Sequence, residues 1–159
     1  MNLLDTLCKL PIAHREALMW FHEQRGQEVG WPGALHKGML LVSKAKGIYK
    51  PAGFLHALSV RESLNGLYPD REPTYSDSGI WTYPYYQEKI EPNHRDAVYT
   101  NRALLACIRD QVPVGVIRQV KRKPEPRYKV LGLALVRGWE NGYFLLEGTG
   151  ENTDAHAKL

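Results

Sequence analysis

The stretch Ala97–Val120, AVYTNRALLACIRDQVPVGVIRQV, admits few local structures, and the rest of the chain must be arranged around it. Leu104, Leu105 and Ile108 fall at helical spacing, and Thr100 or Asn101 stands where a side-chain oxygen caps a helix start. The residues therefore predict a helix over Asn101–Gln111, stopped by Pro113. Val114, Val116, Ile117 and Val120 then form a short run rich in β-branched residues, the pattern of a core strand. Tyr99 and Thr100 occupy the turn before the helix. A helix N-terminus carries unpaired N–H groups and partial positive charge, and Arg102 lies beside this one, so the corner suits an anion.

Upstream, Leu3–Leu10 reads as a short helix, and Pro11 opens a second that runs to about Arg25 and stops at Gly26. Leu10, Ala13, Ala17, Leu18 and Phe21 lie along one face of it, a docking stripe for a sheet. His14 and His22 share that helix, but no third ligand sits at a metal-like spacing. After the breakers Gly30-Trp31-Pro32-Gly33, strands are expected at Met39–Val42, at Ala57–Ser63 and at the aromatic Ile80–Tyr86, where Pro84 implies a sheet edge or a bulge. Leu64–Gly79 and Glu88–Asp96 read as polar loops. Past the core strand, a basic turn leads into Tyr128–Arg137, and Asn141-Gly142 reverses the chain again into Tyr143–Glu147. The expected fold is α+β: a twisted, partly barrel-like antiparallel sheet of about six strands, with the N-terminal helices and the Asn101–Gln111 helix packed on it. Residues 1–148 are expected to form one domain and 149–159 a disordered tail.

The 159 residues carry 21 Lys and Arg against 17 Asp and Glu, a net charge of +4 that is mild overall. Its distribution is not even. Lys44, Lys46 and Lys50 flank a turn rich in Gly and Pro, while Arg118, Lys121, Arg122, Lys123, Arg127 and Lys129 crowd around Pro124-Glu125-Pro126. Such groups are either solvated edges or a phosphate footprint. No apolar run approaches a membrane span, the first residues lack the pattern of a secretion signal, and only two cysteines are present, so a reducing cytoplasm is the expected compartment and no membrane partner is expected.

Catalytic signatures are weak. Asp70 and Glu88 with Lys89 imitate the carboxylate-carboxylate-lysine set of metal-dependent nucleases, but no second carboxylate sits on a neighbouring strand beside Asp70. There is no glycine-rich phosphate loop ending in Lys-Ser/Thr, no Gly-x-Ser-x-Gly elbow, and nothing that calls for a cofactor. A binding module is favoured.

Gly47-Ile48-Tyr49-Lys50-Pro51, His56-Ala57-Leu58-Ser59-Val60-Arg61, Tyr99-Thr100-Asn101-Arg102-Ala103-Leu104, Pro113-Val114-Gly115-Val116 and Leu131-Gly132-Leu133-Ala134 together resemble one family. It is the sulfur-binding domain of restriction endonucleases that attack phosphorothioated DNA. The resemblance implies a reader of phosphorothioated double-stranded DNA, with the nuclease on another domain or a partner chain. It implies a shallow apolar cavity at Tyr99, Thr100 and Ala103, where a ring and two methyl groups meet the sulfur. Burying roughly 40 Å² at ~25 cal/mol per Å² contributes only about 1 kcal/mol. Stripping water from an ordinary phosphate oxygen costs about 1–3 kcal/mol, so exclusion of oxygen is the larger effect. The family's basic pair falls on Tyr49 and Lys50, and lysine lacks the fork that reads guanine. Phosphate contacts are expected from Lys44, Lys46, Lys50, Asn101, Arg102, Arg118, Lys121, Arg122 and Lys123. Two rivals stand beside this reading. One is a reader of a methylated base, with Trp81, Tyr83, Tyr85 and Tyr86 forming a pocket for the extruded base; the other is the small nuclease using Asp70 and Glu88.

Overall fold

The computed structural model describes residues 3–34, 38–64, 72–88 and 91–148. The expected tail 149–159, Asp70 and Lys89 lie outside them. Helices α1 (Leu3–Cys8), α2 (Ile12–Glu23) and α3 (Tyr99–Asp110) pack on a sheet formed by β1 (Glu28–Val29), β2 (Ile48–Tyr49), β3 (Ser59–Glu62), β4 (Thr74–Tyr75), β5 (Trp81–Tyr86), β6 (Val114–Lys121), β7 (Arg127–Glu140) and β8 (Tyr143–Gly148). The strand order is β2-β3-β6-β7-β8-β5-β4, with β1 added to the start of β7, so the sheet is open and does not close into a barrel. The fold is α+β, as the sequence implies. Its eight strands exceed the expected six because β1, β2 and β4 are two-residue strands, too short to leave a periodic pattern.

One pairing is parallel where an antiparallel sheet is expected. β3 runs parallel to β6, with Ser59 opposite Gly115 and Glu62 opposite Arg118, and the Gly115 amide donates to Leu58 O at 2.9 Å. All of β4, β5 and α3 lie between these two strands in sequence, which is why local patterning does not show the match.

β6 reads as a continuous apolar run because both of its faces are covered. Val114 and Val116 face α3, joining Ala103, Leu104, Cys107, Tyr83 and Phe144 in one core. Ile117 faces the other way, with Leu18, Phe21, Leu58, Val130 and Leu133 under α2. Gly115 lets α2 approach, since a Cβ there would overlap the Phe21 ring. The expected strand at Met39–Val42 is not one: Leu41 and Val42 are buried side chains of an irregular segment, and Leu41 O accepts a hydrogen bond from buried Ser59 Oγ at 2.7 Å. Among the described residues Pro84 has a strand partner on one side only, because β4 pairs with Trp81 and Thr82 while Pro84 faces Leu145 of β8. The Asn141-Gly142 turn forms with φ of 49° and 93°, the left-handed pair that a two-residue hairpin needs. No helix among the described residues is long and apolar enough to cross a membrane.

His14 is sealed under this assembly, 3% exposed, with its ring 4.8 Å from Phe54 and 6.4 Å from His56, and its Nε2 has no hydrogen-bond partner among the described residues. Burial, then the neighbouring His56, lowers its pKa from 6.5 to about 4. The folded state thus binds this proton less readily than the unfolded chain. Its stability is whole above pH 6.5 and falls as pH drops towards 4, by about 3 kcal/mol at most. Asp110, held below the ordinary carboxylate range by Arg109 and then His56, titrates below that window.

Two outcomes test this packing. Gly115→Ala is expected to cost about 1–3 kcal/mol in urea unfolding, with Phe21→Leu in the same chain recovering part of the loss. Between pH 6.5 and 4 the melting temperature of the parent should fall more steeply than that of His14→Leu; parallel declines would exclude His14 as the source.

Candidate nucleic-acid interface

Two basic segments far apart in sequence meet at one cleft. The loop before β2 is held by Ser43, whose Oγ accepts from the Ala45 and Lys46 amides at 3.2 Å each. Arg61, projecting from β3, donates through Nε and Nη2 to Ser43 O at 3.2 and 3.0 Å and through Nη2 to Lys44 O at 3.3 Å. Across from it, the turn joining β6 to β7 brings Lys123 and Pro126. Trp31, Lys44, Arg61, Ser63, Gln119, Lys123, Pro126 and Tyr128 enclose a cleft of about 390 Å³, within the size range of small-molecule sites.

Trp31 is its central wall. The Lys44 ammonium lies 5.9 Å from the ring centroid and the Arg61 guanidinium carbon 5.4 Å from it, while Tyr128 meets the ring edge-on at 5.5 Å. Gln119 is fixed at the base of the cleft: its Oε1 accepts from Ser63 Oγ and the Leu64 amide, and its Nε2 donates to Lys121 O. Among the described residues no carboxylate pairs with Lys44, Arg61 or Lys123. Three cations with no carboxylate partner among the described residues thus stand around an aromatic wall, an arrangement whose chemistry suits an anionic ligand with a flat ring.

The sequence-derived site residues divide. Lys44 and Lys123 line this cleft, and Lys46 lies outside its lining, 5.6 Å from the centroid of the exposed Tyr99 ring. Lys121 and Arg122 are exposed at the same turn, Lys121 standing 3.9 Å from Glu125. Arg118 is engaged by Glu72 at 2.8 Å. Arg102 donates to Asp96 O at 2.9 Å, and Lys50 Nζ lies 3.4 Å from Pro51 O. Tyr49 is half-buried on β2, and burial raises its pKa.

At the Tyr99 corner, Tyr99 is 46% exposed but Thr100 and Ala103 are buried at 0% and 2%, so only the ring offers surface. Neither Thr100 nor Asn101 caps α3. The helix begins two residues earlier than expected, at Tyr99, with Val98 in the cap position and no side-chain cap bond. Asn101 is turned inward instead: its Oδ1 accepts the Glu88 amide at 3.0 Å, and Glu88 Oε1 in turn accepts the Ile48 amide at 3.1 Å. That ties α3 to β2 and commits the Glu88 carboxylate to backbone. Among the described residues no group of three His, Cys, Asp or Glu side chains is placed to hold a metal ion.

The aromatic strand β5 does not supply an open pocket. Trp81, Tyr83 and Tyr85 are core residues at 3%, 1% and 5% exposure, and burial, with Glu62 next for Tyr83 and Glu88 next for Tyr85, pushes both phenols well up. Tyr86 packs edge-on against Tyr143. Sequence reasoning missed Trp31, Arg61 and Tyr128; Trp31 lies inside a breaker cluster and the other two on strands, and only tertiary packing shows that they share a cleft.

No protein-family model matches this chain, and no curated protein matches it. Among solved structures it is similar to the SUVH5 SRA domain in complex with methylated CHH DNA, at 23% identity over 76% of this chain and 88% of that one, with a TM-score of 0.42. It is also similar to KRYPTONITE in complex with mCHG DNA and SAH, at 16% identity over 92% of this chain and 39% of that one, with a TM-score of 0.39. At these TM-scores the chains share only a loose outline.

Removing the Asn101 acceptor leaves the Glu88 amide without its partner. Asn101→Ala is expected to cost about 1–3 kcal/mol in urea unfolding and to speed hydrogen exchange at the Glu88 amide; unchanged exchange there would show that the bond is not what holds this corner.

Proposed function

We propose that this chain is a non-catalytic reader of modified double-stranded DNA, taking an extruded methylated base into the Trp31 cleft. The observation that carries the reading is the convergence of Lys44, Arg61 and Lys123, none paired with a described carboxylate, on one cleft walled by Trp31. Phosphates flanking an extruded nucleotide would replace condensed counterions with these cations, which gives affinity without sequence information. The base itself would lie against Trp31. Extrusion costs a few kcal/mol, and stacking on an aromatic ring returns about 1–3 kcal/mol, so the phosphate contacts must supply the balance. A nuclease activity, on this reading, belongs to another domain or a partner chain, since the Glu88 carboxylate is already bonded to the Ile48 amide.

The phosphorothioate reading has one observation in its favour. The Tyr99 ring is exposed on the same face as Lys46, where a backbone sulfur could meet it. With Thr100 and Ala103 closed off, a three-sided cavity requires the first turn of α3 to open.

Fluorescence-polarisation titrations of three otherwise identical duplexes separate the readings: unmodified, methylated at one base, and carrying one Rp phosphorothioate, each at two salt concentrations. The methylated duplex should bind at least ten-fold tighter than the unmodified one, with Trp31→Ala erasing the difference. Lys44→Ala and Lys123→Ala should each lower the slope of log affinity against log salt by about 1. A preference for sulfur that Tyr99→Ala removes would move the site to the α3 corner; equal affinity for all three duplexes would overturn modification reading altogether.

A further inference from the structure

The basic loop holds two aromatic rings in the same way. Lys44 lies over Trp31 and Lys46 over Tyr99, at 5.9 and 5.6 Å. The two lysines are alternate residues, so their Cα atoms are at most about 7 Å apart, yet their ammonium groups go to separate rings at opposite ends of the loop. Tyr99 is nearly half exposed at the first residue of α3, and Trp31 is partly exposed at the cleft. Neither lysine has a carboxylate partner among the described residues. An ammonium on a ring face, with no stronger partner, occupies the place where a base would stack and is free to leave for a phosphate.

From this arrangement we infer that the rim from Trp31 to Tyr99 is a tract for unpaired DNA: a short single strand whose bases stack on the two rings while its phosphates take up Lys44 and Lys46. Alternating cations and aromatic faces are what a single strand requires, because every base offers a flat face and every linkage an anion. Duplex DNA offers its bases only at the edges, so an exposed Tyr99 ring gains little from an intact helix. The tract shares Trp31 and Lys44 with the proposed reader but needs no modified base. It extends the ligand class of this surface to unmodified single strands.

The test is binding of the full chain to a labelled, unmodified dT10, beside an abasic strand of the same length and a rU10. Saturable binding of dT10 is expected, weakened about five-fold or more when the bases are removed. Tyr99→Ala should weaken dT10 by a similar factor while Tyr99→Trp restores it; Tyr99 is exposed, and a melting curve confirms that the variants are folded. Equal affinity for dT10 and the abasic strand, or no response to Tyr99→Ala, would overturn the tract and leave charge alone. A rU10 affinity more than ten-fold above that of dT10 would overturn the assignment to DNA. The methylated-duplex preference is measured separately, so either reading can fail while the other stands.

Discussion

The parallel pairing of β3 with β6 is the constraint on which the surface depends. It sets Arg61 beside Ile117 on the strand that follows Pro113. Arg61 then reaches back to the carbonyls of Ser43 and Lys44, and β6 ends in the turn that carries Lys123. A one-residue slip of that pairing would put Arg61 on the opposite face. Both basic segments would remain, but they would no longer share a cleft.

Burial on two faces holds the pairing in place. α2 enters through the gap at Gly115 and α3 closes the other side with Leu104 and Cys107, whose thiol burial pushes up to about 12. The cost of covering both faces of β6 is that no polar residue can be tolerated at its centre without a partner. Gln119 shows where that restriction ends: it is the first buried polar side chain along the strand, fully engaged by Ser63, Leu64 and Lys121, and it marks the floor of the cleft.

Charge compensation sorts the cations. Arg118 and Lys121 have carboxylates near them, so their charge is partly used within the fold. Lys44, Lys46 and Arg61 are placed on rings or backbone oxygens, which direct the groups without neutralising them, and Lys123 lines the cleft with no carboxylate partner among the described residues. A carbonyl or a ring face holds a cation weakly enough for a phosphate to take it. That difference, invisible in a count of lysines and arginines, is what the proposed binding face rests on.

Local chemistry was legible in the residues themselves. Helical spacing in Leu104, Leu105 and Ile108, the stop at Pro113, the β-branched run after it, and the left-handed Asn141-Gly142 turn each follow from steric preferences that act within a few residues. The basic character of the loop at Lys44 and Lys46 and of the turn at Lys121–Lys123 was equally plain. Only the tertiary structure decided that Thr100 and Asn101 turn inward rather than cap α3, that Trp81, Tyr83 and Tyr85 fill the core, and that Trp31 and Arg61 stand between two basic segments. Those outcomes depend on contacts between residues tens of positions apart, where burial outweighs local preference and no short-range pattern records the partner.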